Sequence, residues 1–214
     1  MKLGIVCGLL SEKAALGSID HPVEVSGADP HRAYQYALKL VEEGAEHLVS
    51  VGLAGALMPH LQPGDLVLPS MVITADGIAY KTLALHSSAA KAGSVLFGSD
   101  EVITTAAAKA KIAQTFDAAV VDMESHAVAR AALEKSIRFS VIRAVADGAG
   151  QALPPSTEGA VRADGSVDTF QTLAKLLKRP GDLPGLIAVG QQAGKGTRTL
   201  RNHAPSLLAA LARH

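Results

Sequence analysis

The feature that most constrains the fold is a succession of short, largely apolar runs separated by helix-like stretches. Leu3 to Gly8, Val23 to Ser26, Leu48 to Val51, Leu66 to Leu68, Ser94 to Phe97, Ala119 to Val121 and Phe139 to Val145 are bounded by Gly, Pro and Asp and read as strands. Between them, Asp29-Pro30 pairs an N-cap with a proline at the first helical position, which predicts a helix over Pro30 to Glu43. Met123 to Lys135 carries Ala and Leu at helical spacing. Strands that alternate with helices imply an α/β chain. Because several runs are apolar throughout, the sheet is expected to be covered on both faces.

The 214 residues are enough for one domain spanning 1–214, burying roughly 70% of the surface of the unfolded chain. After Gly150, the Pro-, Gly- and Ser-rich stretch at about 151–166 predicts a long loop able to cover a site. A basic helical extension at about 168–214 is expected to follow, with helices over Asp168 to Lys178, Asp182 to Gln192 and Thr197 to Ala212, the last broken near Pro205. From Gln171 onward seven basic residues stand against Asp182 alone, a net +6 that leaves −6 on the remainder. This tail reads either as packing helices with solvated charges or as a surface for peripheral membrane contact.

Composition narrows the function. Lys plus Arg equals Asp plus Glu at 20 each and aromatics are 3%, so neither a basic field nor a stacking platform for nucleic acid is present. Cys7 is the one cysteine, which excludes an intrachain disulfide and suggests a reducing, cytoplasmic setting. Glu12 and Lys13 interrupt the apolar start, so it reads as a strand and not as a signal peptide. No His pair at i, i+4 and no Cys pair suggests a zinc site, and no metal or other cofactor is expected. Gly190 to Thr197 resembles a phosphate loop, but it has three residues between the glycines where four are needed, and Gly196 stands where a magnesium-binding hydroxyl belongs. Gly8-Leu9-Leu10-Ser11-Glu12 lacks the glycine pattern of a dinucleotide-binding turn, which argues against a nicotinamide-dependent oxidoreductase.

Three segments carry the chemistry. Ser50-Val51-Gly52-Leu53-Ala54-Gly55 places small residues after a strand, where backbone N–H groups can approach a ligand. Glu124 and Asp147 each follow a strand, the position at which open α/β sheets hold ligands. Each has a plainer reading: a tight turn, an acid complementing a helix dipole, and an Asp-Gly turn.

Taken together and in order, Met1 to Val6 with Glu12, Ser50 to Gly55 with Gly64-Asp65-Leu66-Val67, Val121-Asp122-Met123-Glu124 and Ile142 to Asp147 resemble the nucleoside phosphorylase superfamily, which includes the methylthioadenosine/S-adenosylhomocysteine nucleosidases. That resemblance implies a three-layer fold with a central mixed, twisted sheet flanked by helices. It also implies an enzyme cleaving the N-glycosidic bond of a purine nucleoside, in a homo-oligomer. Ser26 to Asp29 with Arg32, Pro63 to Pro69, Ala152-Leu153-Pro154 and Leu176 to Pro180 are similar to the hopanoid-biosynthesis-associated branch, which implies release of adenine from adenosylhopane, a lipid-linked nucleoside, with peripheral contact at the inner membrane surface.

The resemblance carries roles to individual residues. Asp147 would donate a proton toward the purine N7. Glu124 would accept from ribose hydroxyls, with Met123 against the sugar and Ala54 and Gly55 beside the ligand. Glu12 would activate water, or merely hold the ribose or begin a helix. Val102 stands where the nucleosidases have an aromatic residue, which weakens a simple methylthioadenosine assignment. The phosphorylases' Arg and hydroxyl are replaced by Ser50 and Leu53, leaving Gly27, Arg32 and Ser50 as the candidates to hold inorganic phosphate as a co-substrate. Water and phosphate both remain open as nucleophile. A nucleoside-binding protein without turnover is the alternative of a different class.

Overall fold

A computed structural model describes residues 1–91, 95–154, 161–167 and 180–213. Its ten strands are β1 (Leu3–Cys7), β2 (Val23–Val25), β3 (His47–Ala56), β4 (Leu66–Val67), β5 (Met71–Ile73), β6 (Ala79–Lys81), β7 (Ala90–Lys91), β8 (Val95–Gly98), β9 (Val120–Asp122) and β10 (Arg138–Asp147). The helices are α1 (Leu10–Ala15), α2 (Pro30–Glu42), α3 (Ala106–Phe116), α4 (Ser125–Glu134) and α5 (Leu183–Ala212). All ten strands join one mixed sheet in the order β6-β5-β8-β9-β3-β10-β4-β7, with β1 and β2 on a branch from β3. The expected α/β architecture, a mixed sheet flanked by helices, is what the chain adopts.

The long central strands explain the branch. β3 pairs in parallel with β10 along its whole length and with β1 over His47 to Ser50, while its far end pairs antiparallel with β9 through Gly55↔Val121 and Ala56↔Val120. The antiparallel return points the end of β9 back toward Leu53, so Asp122, Met123 and Glu124 arrive beside the carboxyl ends of β1, β3 and β10. Both sheet faces are covered, as the apolar runs require. On one face α2 and α4 pack Ala33, Ala37, Leu40, Ala127, Val128 and Ala131 onto Leu48, Val141 and Val145. On the other, α5 packs Leu200, Ala204, Leu207, Leu208 and Leu211 onto Ile5, Val49, Val51, Ile142 and Ala144.

The structure corrects the expected C-terminal helices. Leu183 to Ala212 is one continuous helix with Pro205 inside it. A proline there costs about 3 kcal/mol. Each buried leucine recovers about 1.5–3 kcal/mol, and Leu200, Leu207, Leu208 and Leu211 are all buried, so packing on the sheet outweighs the break. Gly196 does not interrupt the helix either. It is the point where α5 crosses the sheet, since a Cβ would lie 2.7 Å from Leu53 Cδ2 and 2.9 Å from the carbonyl oxygen of Val145. The helix expected over Asp168 to Lys178 lies outside the described residues, as do 155–160 of the expected loop. Among the described residues no helix is long and apolar enough to cross a membrane.

Candidate active site

The site forms where the strand ends converge. A cavity of about 250 Å³ is lined by Glu12, Leu53, Ala54, Gly55, Val102, Lys109, Val121, Asp122, Met123, Glu124, Asp147 and Leu153, among others. Every residue expected for catalysis or nucleoside binding therefore reaches one cavity. Val102 is 50% exposed, at the rim.

Glu12 enters from the third residue of α1, and its carboxylate reaches back to the turn that starts the helix. Oε2 accepts from the backbone N–H groups of Gly8 and Leu9 at 2.8 and 2.9 Å, and Oε1 accepts from Leu53 N–H at 2.7 Å. One side chain thus ties the end of β1 to Leu53 within β3. Burial pushes its pKa up, opposed by these hydrogen bonds and by the charge of Arg143. The raised value makes Glu12 a stronger base than a solvated carboxylate.

Glu124 is the N-cap residue of α4 but makes no side-chain capping hydrogen bond. It is 7% exposed, close against Gly8, where a Cβ would come within 2.5 Å of Glu124 Oε1. Beneath Glu12 and Glu124 lies Arg143 from β10, 1% exposed. Its guanidinium pairs with Asp122, donates to Ser50 Oγ at 2.6 Å and Ser125 Oγ at 3.0 Å, and stands 3.7 Å from Glu124 Oε2. Three carboxylates share one cation. Burial, then the negative charge of Asp122, pushes Glu124 up to about 8.

That shift has a stability consequence. The folded value lies above the ordinary 4.5 of the unfolded chain. Its contribution is therefore fully present below that value and is lost as pH rises through about 8. Glu124→Gln is expected to flatten the fall in urea midpoint between about pH 5 and pH 8. Equal slopes in variant and wild type would assign the fall to other groups.

Asp147 ends β10 at a bulge, where the register shifts between Val145 and Asp147 and sets Asp147 opposite Gly55. Bulges re-aim side chains beside functional sites. A Cβ on Gly55 would stand 3.3 Å from Asp147 Oδ2, so the small residue leaves room for the carboxyl. Asp147 is ion-paired with Lys109 of α3, a residue the sequence reading does not single out. Burial raises the Asp147 pKa, and the Lys109 ammonium opposes the rise. A local signal for α3 was present: Thr105 caps the helix by accepting from Ala108 N–H at 3.1 Å, ahead of an Ala-rich stretch. Nothing local indicates that Lys109 turns inward.

The candidate phosphate ligands are not brought together at the cavity. Ser50 is fully buried and receives the Arg143 hydrogen bond. Arg32 donates from Nε to Ser26 O at 2.6 Å and from Nη2 to Gly27 O at 3.3 Å, and Nη1 pairs with Asp29. Gly27, at φ +67°, packs under the carbonyls of Arg162 and Ala163. Of that loop, Ala28 alone lines the cavity. Among the described residues no cluster of three or more His, Cys, Asp or Glu is arranged to hold a metal ion. Cys7 is buried in the core.

The chain is similar in structure to Helicobacter pylori 5′-methylthioadenosine/S-adenosyl homocysteine nucleosidase, with TM-score 0.73, 14% identity and 98% of each chain covered. It is similar to Helicobacter pylori futalosine hydrolase, with TM-score 0.71, 14% identity and 98% of each chain covered. It is also similar to Streptococcus pyogenes S-adenosylhomocysteine nucleosidase, with TM-score 0.61, 18% identity, 95% of this chain and 97% of the other covered. No curated protein matches it by sequence. The sequence profile of the Phosphorylase superfamily matches residues 23–92 and 71–178, more than half of the chain, and the protein belongs to that superfamily.

Proposed function

We propose that this protein hydrolyses the N-glycosidic bond of an adenine nucleoside. The observation that carries the reading is the convergence of Glu12, Glu124 and Asp147 on one largely apolar cavity. Cleavage of this bond builds positive charge at C1′ and negative charge on the departing base, and catalysis requires groups that answer both. Glu124 accepts from the ribose hydroxyls and, in its ionised form, favours with Glu12 the oxocarbenium-like sugar. Asp147 protonates the base at N7. Glu12 takes the proton of the attacking water, whose oxygen bonds to C1′ as the C1′–N9 pair moves into the purine.

Water is favoured over phosphate by charge. A phosphate dianion beside Glu12 and Glu124 would need cationic partners, yet Arg32 is engaged by loop carbonyls and Arg143 by Asp122, Ser50 and Ser125. The substrate is a nucleoside with a large apolar 5′ group, of the adenosylhopane type. Supporting this, the 250 Å³ cavity lies below the usual 300–1,000 Å³ of ligand pockets, and half-exposed Val102 leaves the rim open to a substituent that extends outward. A Helicobacter pylori nucleosidase relative holds 5′-methylthioadenosine in its active site, which makes that nucleoside the natural comparator. The proposed setting is cytoplasmic, with peripheral membrane contact and assembly into a homo-oligomer.

The test is adenine release from a 5′-alkyl adenosine and from 5′-methylthioadenosine, with and without inorganic phosphate, while the sugar product is identified. Phosphate-independent release of free sugar, with higher kcat/KM for the alkyl nucleoside, is expected. A sugar 1-phosphate formed only with phosphate would make the protein a phosphorylase instead.

A further inference from the structure

Among the described residues, Lys109 is the one buried cation that touches a group assigned to the chemistry without belonging to the Arg143 cluster. Its side chain is 1% exposed, yet it lines the cavity. An ammonium has three N–H donors and no acceptor. Here one goes to Asp147 Oδ2, one to Gly148 O at 3.0 Å and one to Gln151 O at 3.1 Å. The helix that carries it is anchored to the same segment, since Leu153 N–H donates to Thr104 O at 2.8 Å. Lys109 therefore gathers the end of β10 and the following turn onto α3, and its position relative to Asp147 is set by backbone.

This geometry poses a difficulty for an acid at Asp147. A carboxylate paired with an ammonium does not itself carry the proton that N7 needs. The pair holds that proton on the nitrogen. Both groups are buried, and there an ion pair loses much of its advantage over the neutral pair.

We propose, on the reading of the site given above, that Lys109 is the positioning residue that resupplies Asp147 with its proton. As the C1′–N9 bond breaks and its electron pair enters the purine, the proton on Lys109 Nζ passes to Asp147 Oδ2 and from there to N7. The pair is left as neutral lysine beside the Asp147 carboxylate. After adenine departs, a proton from solvent restores the ammonium. The sum is one water consumed and adenine and free sugar formed, with the proton taken by Glu12 released to solvent. Lysine suits the task where arginine does not, because a guanidinium keeps its proton.

The test compares wild type with Lys109→Met and Lys109→Arg on two substrates, an adenosine nucleoside and p-nitrophenyl β-D-riboside, whose phenolate leaves without protonation. Both variants are expected to lose about 100-fold or more in kcat on the adenosine substrate, with KM within a few-fold, and to stay within about threefold of wild type on the phenyl riboside. Full activity of Lys109→Arg on the adenosine substrate would show that a fixed charge suffices and would overturn the proton supply. Equal losses on both substrates would reduce Lys109 to a structural part. A second readout needs no turnover: ¹³C NMR titration of the Asp147 carboxyl should move upward in Lys109→Met, and an unmoved titration would overturn the coupling. Wild type inactive on every nucleoside would overturn the hydrolase reading, while the NMR result would still decide whether the two groups share a proton.

Discussion

Asp147→Asn is expected to lower adenine release by about 10²- to 10⁴-fold, the range of a positioned general acid, with KM changed only a few-fold. The amide keeps the shape of the carboxyl and can still donate a hydrogen bond to N7, but it cannot transfer a proton there. The base must then leave as an anion in a cavity that already holds Glu12 and Glu124. The fold should survive, because the Asn oxygen still accepts from Lys109, which keeps its bonds to Gly148 O and Gln151 O. What changes is charge: the buried ammonium loses its carboxylate, and the stability cost stays below the ~3–5 kcal/mol of a fully broken buried pair. Steady-state kinetics with a urea unfolding curve separate the two effects. A loss of less than about tenfold in kcat would remove proton donation by Asp147 from the mechanism.

The second large effect is on stability. Arg143→Met is expected to cost about 3–5 kcal/mol, because it removes one partner of a buried ion pair and leaves the other uncompensated. Methionine fills much of the volume of the arginine stem, so cavity formation contributes little. The loss is electrostatic. Asp122 would be left buried with only Ser125 donating to it, and Ser50 Oγ would lose its 2.6 Å donor. Arg143 also lowers the cost of ionising Glu12 and Glu124, so the destabilisation should grow as pH rises and these carboxyls give up their protons. Urea midpoints at about pH 5 and pH 8 check both size and sign. A change under ~1 kcal/mol, or one that shrinks with pH, would mean that the carboxylates are compensated elsewhere.

Much of the site was legible locally. Glu124 follows β9 and Asp147 ends β10, and in an α/β sheet such positions share one edge, whereas Glu12 and Met123 were indicated by the resemblance, and Ala54 and Gly55 lie within β3. The phosphate candidates were not legible in the same way. Arg32 follows an Asp-Pro helix start and a glycine at φ +67°, which resembles an anion loop, yet its guanidinium turns back to the carbonyls of Ser26 and Gly27. Direction of a long side chain depends on what packs above it, here the carbonyls of Arg162 and Ala163 over Gly27. Short strands escaped for a related reason: β5, β6 and β7 span two or three residues each, too few for a period of two to register.

The sequence by itself determined the class of fold and the strand-end acids, because both follow from local periodicity and from where runs of apolar residues stop. Only the tertiary structure decided the partners of those acids. Lys109 meets Asp147 across 38 positions, and Arg143 meets Ser50 across 93. The continuity of α5 through Pro205 was likewise a tertiary decision, since a local cost of about 3 kcal/mol yields to apolar burial that exists only once the helix lies on the sheet.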